Sequence, residues 1–258
     1  MRRSTSKSLL PAFLLTLGAF ALVPGCADNN SSLFVVGVML LDTTTCVAKP
    51  DNTAVMLAEG VMDVAFTSSY TAFVLVGNQL TQRGSREQLR TETSRVSLRG
   101  AEVTLTTLDG KELGNYSTVG TGFVDAAAGD VPAYAAMAVN VIPSALGSSP
   151  SLLSAGVVLA KIRVFGDTLG NVSVTSSELD FPIRVCKGCL VSYPADAADP
   201  SQPVGEPYLC TTAASTTQTT EAGPCVVGQD RSFSCTSCSA SVSLCRDPSQ
   251  NPSYGPTP

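Results

Sequence analysis

Between Leu33 and Val185 the chain divides into short apolar runs, each ended by turn-forming residues, and that spacing limits the fold more than any other feature. Successive side chains in a strand point to opposite sides, so alternation of apolar and polar residues marks a half-buried strand. Leu33 to Leu41 is the first such run. Met62, Val64 and Phe66 alternate with Asp63 and Thr67 in the next, and Tyr70 to Leu80 follows. Val96, Leu98, Val103 and Leu105 alternate across Gly100, which implies a bulge there. Asp109-Gly110 signals a hairpin into Lys111 to Val124. Ala135, Met137, Val139 and Val141 alternate up to Pro143, and Val158, Ala160, Ile162 and Val164 alternate with Lys161 and Arg163. Gly166 to Gly170 turns the chain into a last run, Asn171 to Val185.

About eight strands at this spacing predict an all-β fold over residues 33–185, an immunoglobulin-like antiparallel β-sandwich. Antibody-type domains bury a Trp beside paired cysteines, and this chain has none, so the likeness is one of architecture only. Helix signals are few. Thr53 to Glu59 reads as strand in preference to a helical turn, and Ser149 to Ala155 as a single turn. No strand-helix-strand alternation occurs, so no nucleotide crevice is expected.

Beyond Val185 the composition changes. Residues 186–246 hold Cys186, Cys189, Cys210, Cys225, Cys235, Cys238 and Cys245 among Pro, Ser, Thr, Ala and Asp, with little apolar periodicity. Such a segment cannot order itself by burial and needs covalent staples. Residues 247–258 form a Pro-rich polar tail, expected to be disordered. Cys46, in the first loop between strands, brings the count to an even eight, which suits up to four disulfides in an exported protein. One of these should tie the cysteine-rich module to the sandwich through Cys46. Spacing does not choose among the pairings.

The two C-x-x-C units, Cys186 to Cys189 and Cys235 to Cys238, admit two further readings. A zinc site draws four thiolates from such pairs, usually about 15–20 residues apart; here 45 residues intervene. A redox motif opens a helix that lowers the first thiol's pKa, whereas Cys186 leads from a strand into a Pro-rich loop. Structural disulfides are the expectation, with no metal and no cofactor.

The N-terminus is an address. Arg2, Arg3 and Lys7 precede an apolar run from Leu9 to Val23. A run of about 15 residues falls short of the ~20 needed to span a bilayer, and the basic-then-apolar order is that of a secretory signal. It ends in Val23-Pro24-Gly25-Cys26, which resembles the lipobox of bacterial lipoproteins. The resemblance implies a signal peptide over residues 1–25, with Cys26 the lipidated mature N-terminus, and a tether over residues 26–32. The alternative is a soluble export signal cleaved nearby, with Cys26 an ordinary thiol. Two acyl chains anchor stably where one is marginal, at about 0.8 kcal/mol per buried methylene. Ala27 follows the cysteine where Asp would mark retention in the inner membrane, so the resemblance implies the outer membrane.

Composition then removes function classes. Histidine is absent, which excludes Ser-His-Asp and Cys-His catalysis and imidazole metal sites. Loss of residues 1–25 leaves 13 basic against 21 acidic side chains, a poor match to nucleic acid or anionic lipid. Gln82 to Arg99 is the one charge-dense stretch, and it reads as a solvated loop and edge strand in preference to a partner patch. Gly120-Thr121-Gly122 lacks the Lys of a phosphate loop and reads as a strand-end turn. Asp125 and Asp130 could form a carboxylate pair but read as turn residues. The expectation is a non-catalytic, lipid-anchored envelope lipoprotein with a binding or structural role, its partners the membrane through Cys26 and an envelope protein or glycan. The alternatives are a thiol redox or metal-binding protein using the C-x-x-C units, or a carboxylate-based envelope enzyme.

Overall fold

The computed structural model describes residues 32–85, 89–192 and 224–234. Two sheets enclose one hydrophobic core. The first runs in the order β2 (Met56–Leu57), β1 (Leu33–Met39), β4 (Tyr70–Asn78), β7 (Ala133–Ile142). The second runs β3 (Gly60–Asp63), β10 (Leu179–Cys186), β8 (Val157–Thr168), β5 (Val96–Thr107), β6 (Glu112–Val124), and β9 (Ser173–Thr175) pairs with the end of β8. Pairing is antiparallel except between β3 and β10 and in a small separate ladder of β11 (Val191–Ser192) with β12 (Phe233–Ser234). The fold is thus all-β. Its helices, among the described residues, are the short α1 (Ser144–Gly147) and α2 (Pro150–Ala155). Ser149 caps α2 through its hydroxyl, which accepts from the Leu152 amide, and Pro150 supplies the preset φ of a first helical residue.

Alternation places the core. Val96, Leu98, Ala101, Val103 and Leu105 of β5 and Val158, Ala160, Ile162 and Val164 of β8 are buried against Ala72, Val74 and Val76 of β4 and Met137, Val139 and Val141 of β7. The inward positions of β5 change phase between Leu98 and Ala101, and the register of β5 shifts there against both neighbours, the bulge expected at Gly100. A Cβ at Gly100 would lie 2.3 Å from the Thr118 carbonyl oxygen, so the close approach requires glycine. The expected turn at Asp109-Gly110 is also present, with Gly110 at φ 86°.

Other expectations are revised. The seven strands of seven residues or more account for most of the runs, and the short β2, β3, β9, β11 and β12 raise the number to twelve among the described residues. The strand expected through Val64 and Phe66 stops at Asp63. Its carboxylate accepts from the Ala65 amide and its carbonyl from the Phe66 and Thr67 amides, which closes a turn. The run from Asn171 is broken at the buried Ser176, whose hydroxyl accepts from the Val164 amide and donates to the Ser177 carbonyl. Gly120-Thr121-Gly122 is strand interior, not a turn. There β6 passes close to β7: a Cβ at Gly120 would lie 2.8 Å from the Met137 sulfur, and Tyr116 donates its hydroxyl to the Val141 carbonyl.

The outer faces of the two sheets differ. No strand of the first sheet contains a charged residue. Its outward positions include Phe34, Phe73, Tyr134, Ala136 and Ala138, with the Phe34 ring seated over Gly77 and edge-on to Tyr134. The second sheet presents Arg99, Lys161, Arg163 and Arg184, paired with Asp167, Glu178, Asp180 and Glu59. Such exposed pairs contribute little stability individually, but they mark the face as solvated.

Candidate functional site

Two chain segments far apart in sequence converge on β3, one on each side. On one side β10 runs parallel to it, from Ile183 opposite Gly60 to Cys186 opposite Asp63. On the other lies the segment from Pro224 to Arg231. The Asp63 amide donates to the Gly228 carbonyl at 2.9 Å, and the Asp230 amide to the Val61 carbonyl at 3.0 Å. The free edge of β3 is thereby paired, which removes a row of open hydrogen-bonding groups. Gly228 adopts φ 83°, and Asp230 φ 59°, the left-handed region that Asp tolerates better than most residues.

Three side-chain interactions hold the segment. The Asp230 carboxylate accepts from the Val61 amide at 2.9 Å and from the Tyr70 hydroxyl at 2.9 Å. Burial pushes the Asp230 carboxyl up, against the downward pull of the Val61 amide and the Tyr70 hydroxyl. Tyr70 is fully buried, and desolvation together with the Asp230 charge raises its phenol well above the usual range. Gln229 offers its amide to Thr71 as a strand would, accepting from its N–H and donating to its C=O. The third tie is covalent: Cys225 is bridged to Cys46 across 179 positions. Cys46 sits at φ 54° at the end of a turn built by Asp42. The amide and hydroxyl of Thr45, with the Thr44 amide, hold the Asp42 carboxyl below the usual range. A cleft of about 30 Å³ lies between this segment and the first sheet, lined by Met39, Thr71, Phe73, Cys225 and Arg231 among others.

The C-x-x-C loop lies at the Asp63 end of β3. Cys186 ends β10 and is bridged to Cys189. The loop between them turns through Gly188 at φ 77° and folds over the fully buried Asp63. One Asp63 oxygen accepts from the Gly188 amide at 2.6 Å and the Ala65 amide at 3.0 Å, and the other from the Leu190 amide at 2.8 Å. A carboxylate oxygen and both sulfurs lie within 4.8 Å of one another. With the sulfurs joined and the carboxylate committed to three amides, the trio in this state is a closed loop, not an open ligand set. Cys186 is half-buried and Cys189 exposed.

The remaining candidates fall elsewhere. Asp125 and Asp130 are exposed in the loop after β6, where Asp125 pairs with Arg95 at 2.9 Å. Arg95 also lies over the Phe123 ring, and Arg99 pairs with Asp167. The Glu92 carboxylate accepts from the Arg83, Gly84 and Ser94 amides, which ties together the described parts of this arginine-rich stretch; Arg86 and residues 87–88 lie outside the described residues. Cys26, Cys210, Cys235, Cys238 and Cys245, the segments 1–31 and 193–223, and the tail 247–258 lie outside the described residues. Asp63, Asp230, Gln229 and Tyr70 were not singled out from sequence. An acidic residue inside an apolar run, as Asp63 is between Met62 and Val64, was the available signal for one of them.

Among the described residues no helix is long and apolar enough to cross a membrane. Compared with known proteins, the chain matches no family model, no curated protein and no solved structure.

Proposed function

We propose that the chain is a lipid-anchored lipoprotein of the bacterial cell envelope, attached by acyl chains on Cys26, with a non-catalytic binding or structural role at the outer membrane. The observation that carries the reading is the Cys46–Cys225 bridge. Oxidising compartments outside the cytosol maintain such bonds, and the glutathione-buffered cytosol does not. The basic and apolar segments before Val23-Pro24-Gly25-Cys26 supply the matching export signal.

The two outer faces support an orientation. Residues 27–32 reach at most about 20 Å from Cys26, so β1 begins close to the bilayer. β1 lies in the sheet whose strands carry no charge, while the ion pairs lie on the other sheet. A domain held at that point turns its uncharged face to the lipid and its charged face to water. The sandwich is immunoglobulin-like in architecture on this reading, because its seven long strands divide three and four between the sheets. The cleft of about 30 Å³ beside Cys225 has room for water, not for a metabolite, and the partner we infer is an envelope protein or glycan.

Fractionation of cells fed labelled palmitate tests the reading. Wild-type chain is expected in the membrane fraction with label, and Cys26→Ser in the soluble fraction without it. Label retained by the Cys26→Ser chain removes the anchor assignment.

A further inference from the structure

We propose that Cys186–Cys189 is an exchange disulfide, which accepts electrons from a dithiol-bearing envelope protein. The proposal rests on the exported location in the reading above, but not on lipidation of Cys26. The first observation is redundancy. This bridge closes a ring of only three positions, and the entropy removed by a cross-link grows with the length enclosed. The loop is also fixed without it: β10 is paired with β3 up to the first cysteine and with β8 up to Arg184, and Asp63 holds the Gly188 and Leu190 amides. A staple at this position adds little that the fold lacks.

The second observation is asymmetry. Cys189 is exposed, whereas Cys186 is half-buried with its sulfur 3.5 Å from the Met62 carbonyl oxygen. An incoming thiolate therefore reaches the Cys189 sulfur. The sulfur–sulfur bond breaks, Cys186 leaves as thiolate, and on taking a proton its S–H has the Met62 carbonyl as a ready acceptor. The partner's second thiolate then attacks its own sulfur in the mixed disulfide and releases Cys189. The partner dithiol is oxidised to a disulfide, and the two electrons and two protons end on Cys186 and Cys189.

Asp63 is a positioning residue in this scheme. Its three amide hydrogen bonds involve neither sulfur, so the loop keeps its shape when the bridge opens. Its carboxylate, within 4.8 Å of both sulfurs, opposes a neighbouring thiolate, so the reduced pair rests as protonated thiols. No helix begins at Cys186 to offset this, and the exposed Lys187 is the cation adjacent in sequence.

The experiment is equilibration of the mature native chain in glutathione buffers, followed by alkylation and peptide-level mass spectrometry. Cys186–Cys189 is expected to open at a reductant ratio at least tenfold below that which opens Cys46–Cys225, a difference of about 30 mV. Incubated with a reduced dithiol peptide, wild type should form close to one peptide disulfide per chain more than the variant carrying Cys186→Ser and Cys189→Ser. The alkylation rate of Cys189 in reduced Asp63→Asn should rise at lower pH than in reduced wild type, which a purely structural role would not produce. If Cys186–Cys189 stays closed in buffers that open Cys46–Cys225, or the double variant oxidises as much peptide as wild type, the proposal is overturned. A bridged Cys46 alongside that result leaves the envelope reading standing; a free Cys46 in native protein removes both.

Discussion

The two bridges lie in segments that pair with the same short strand, β3, and they restrain the chain in different ways. Cys46–Cys225 encloses 179 positions and fastens a segment that contributes almost no apolar side chain to the core. Cys186–Cys189 encloses three, in a loop whose backbone is already bound by β10 pairing and by Asp63. Both have one cysteine exposed, Cys46 and Cys189. Exposure therefore does not separate them. What separates them is how much chain each closes and whether anything else would hold the ends together. An even number of cysteines in an exported chain indicates bridges, but the role of each bridge depends on these two quantities.

The largest effect is expected from removing the long bridge. Chain entropy for a loop of this length corresponds to about 5 kcal/mol, and native strain reduces it in practice. Cys46 itself holds a left-handed backbone conformation, a small offset of that kind. The variant Cys46→Ser with Cys225→Ser should lose several kcal/mol in urea denaturation, with loss of hydrogen-exchange protection at the Asp230 amide. An unchanged midpoint would abolish the contrast between the bridges. Next is Asp63→Ala, which leaves the buried amides of Gly188 and Leu190, and that of Ala65, without their acceptor. Unsatisfied buried groups cost about 1–3 kcal/mol each, so a loss of about 3 kcal/mol is expected, measurable in the same denaturation.

A smaller effect tests the clasp without touching sulfur. Tyr70→Phe removes the hydroxyl that donates to Asp230, and hydrogen bonds to charged groups contribute about 1.5–3 kcal/mol. The expected loss is about 2 kcal/mol at neutral pH. The sign of the pH dependence follows from Asp230, whose pKa is raised above 3.8 by burial. The folded state binds this proton more tightly than the unfolded one, so the contribution of Asp230 to stability falls as pH rises from near 3.8 through the raised value. The Tyr70 hydroxyl lowers that value, so its loss should extend the fall to higher pH. Denaturation of wild type and Tyr70→Phe across pH 4–8 measures this; a smaller pH dependence in the variant would contradict the assignment of Asp230 as the group responsible.

The legible part of the structure was what alternation and turn chemistry encode locally. Val96 to Leu105 revealed its bulge because the phase of burial changes across Gly100, and Asp109-Gly110 revealed its hairpin because few other pairs suit the turn. The clasp was not legible. Asp230 acquires its role only where Val61 and Tyr70 meet it, across 169 and 160 positions, and nothing in the local sequence distinguishes it from a solvated aspartate. Asp63 was misread as the polar position of a strand continuing to Phe66, because its side chain captures the Ala65 amide and the strand ends at Asp63 itself. The link from Cys46 into the cysteine-rich module was expected from parity alone, and the pairing with Cys225 came from the fold.

The smallest effect is expected at the short bridge, and there the comparison can be made quantitative. The loop-entropy relation gives at most about 2 kcal/mol for a ring this short, and it assumes that the opened loop is free. Here the opened loop is still held, with Gly188 and Leu190 on the Asp63 carboxylate and the Cys186 carbonyl accepting from the Val64 amide. Cys186→Ser with Cys189→Ser should therefore cost about 1 kcal/mol or less. If the redundancy is real, it disappears when Asp63 is also replaced. In Asp63→Ala the bridge is the remaining local restraint on the Gly188 turn, so its removal should then cost more than it does in wild type. A double-mutant cycle reads that difference directly, and residues sharing one local network usually couple by about 0.5–3 kcal/mol. A coupling of at least 0.5 kcal/mol in that direction is expected. Strict additivity would mean that Asp63 and the bridge hold different parts of the loop, and that the short disulfide is a staple after all.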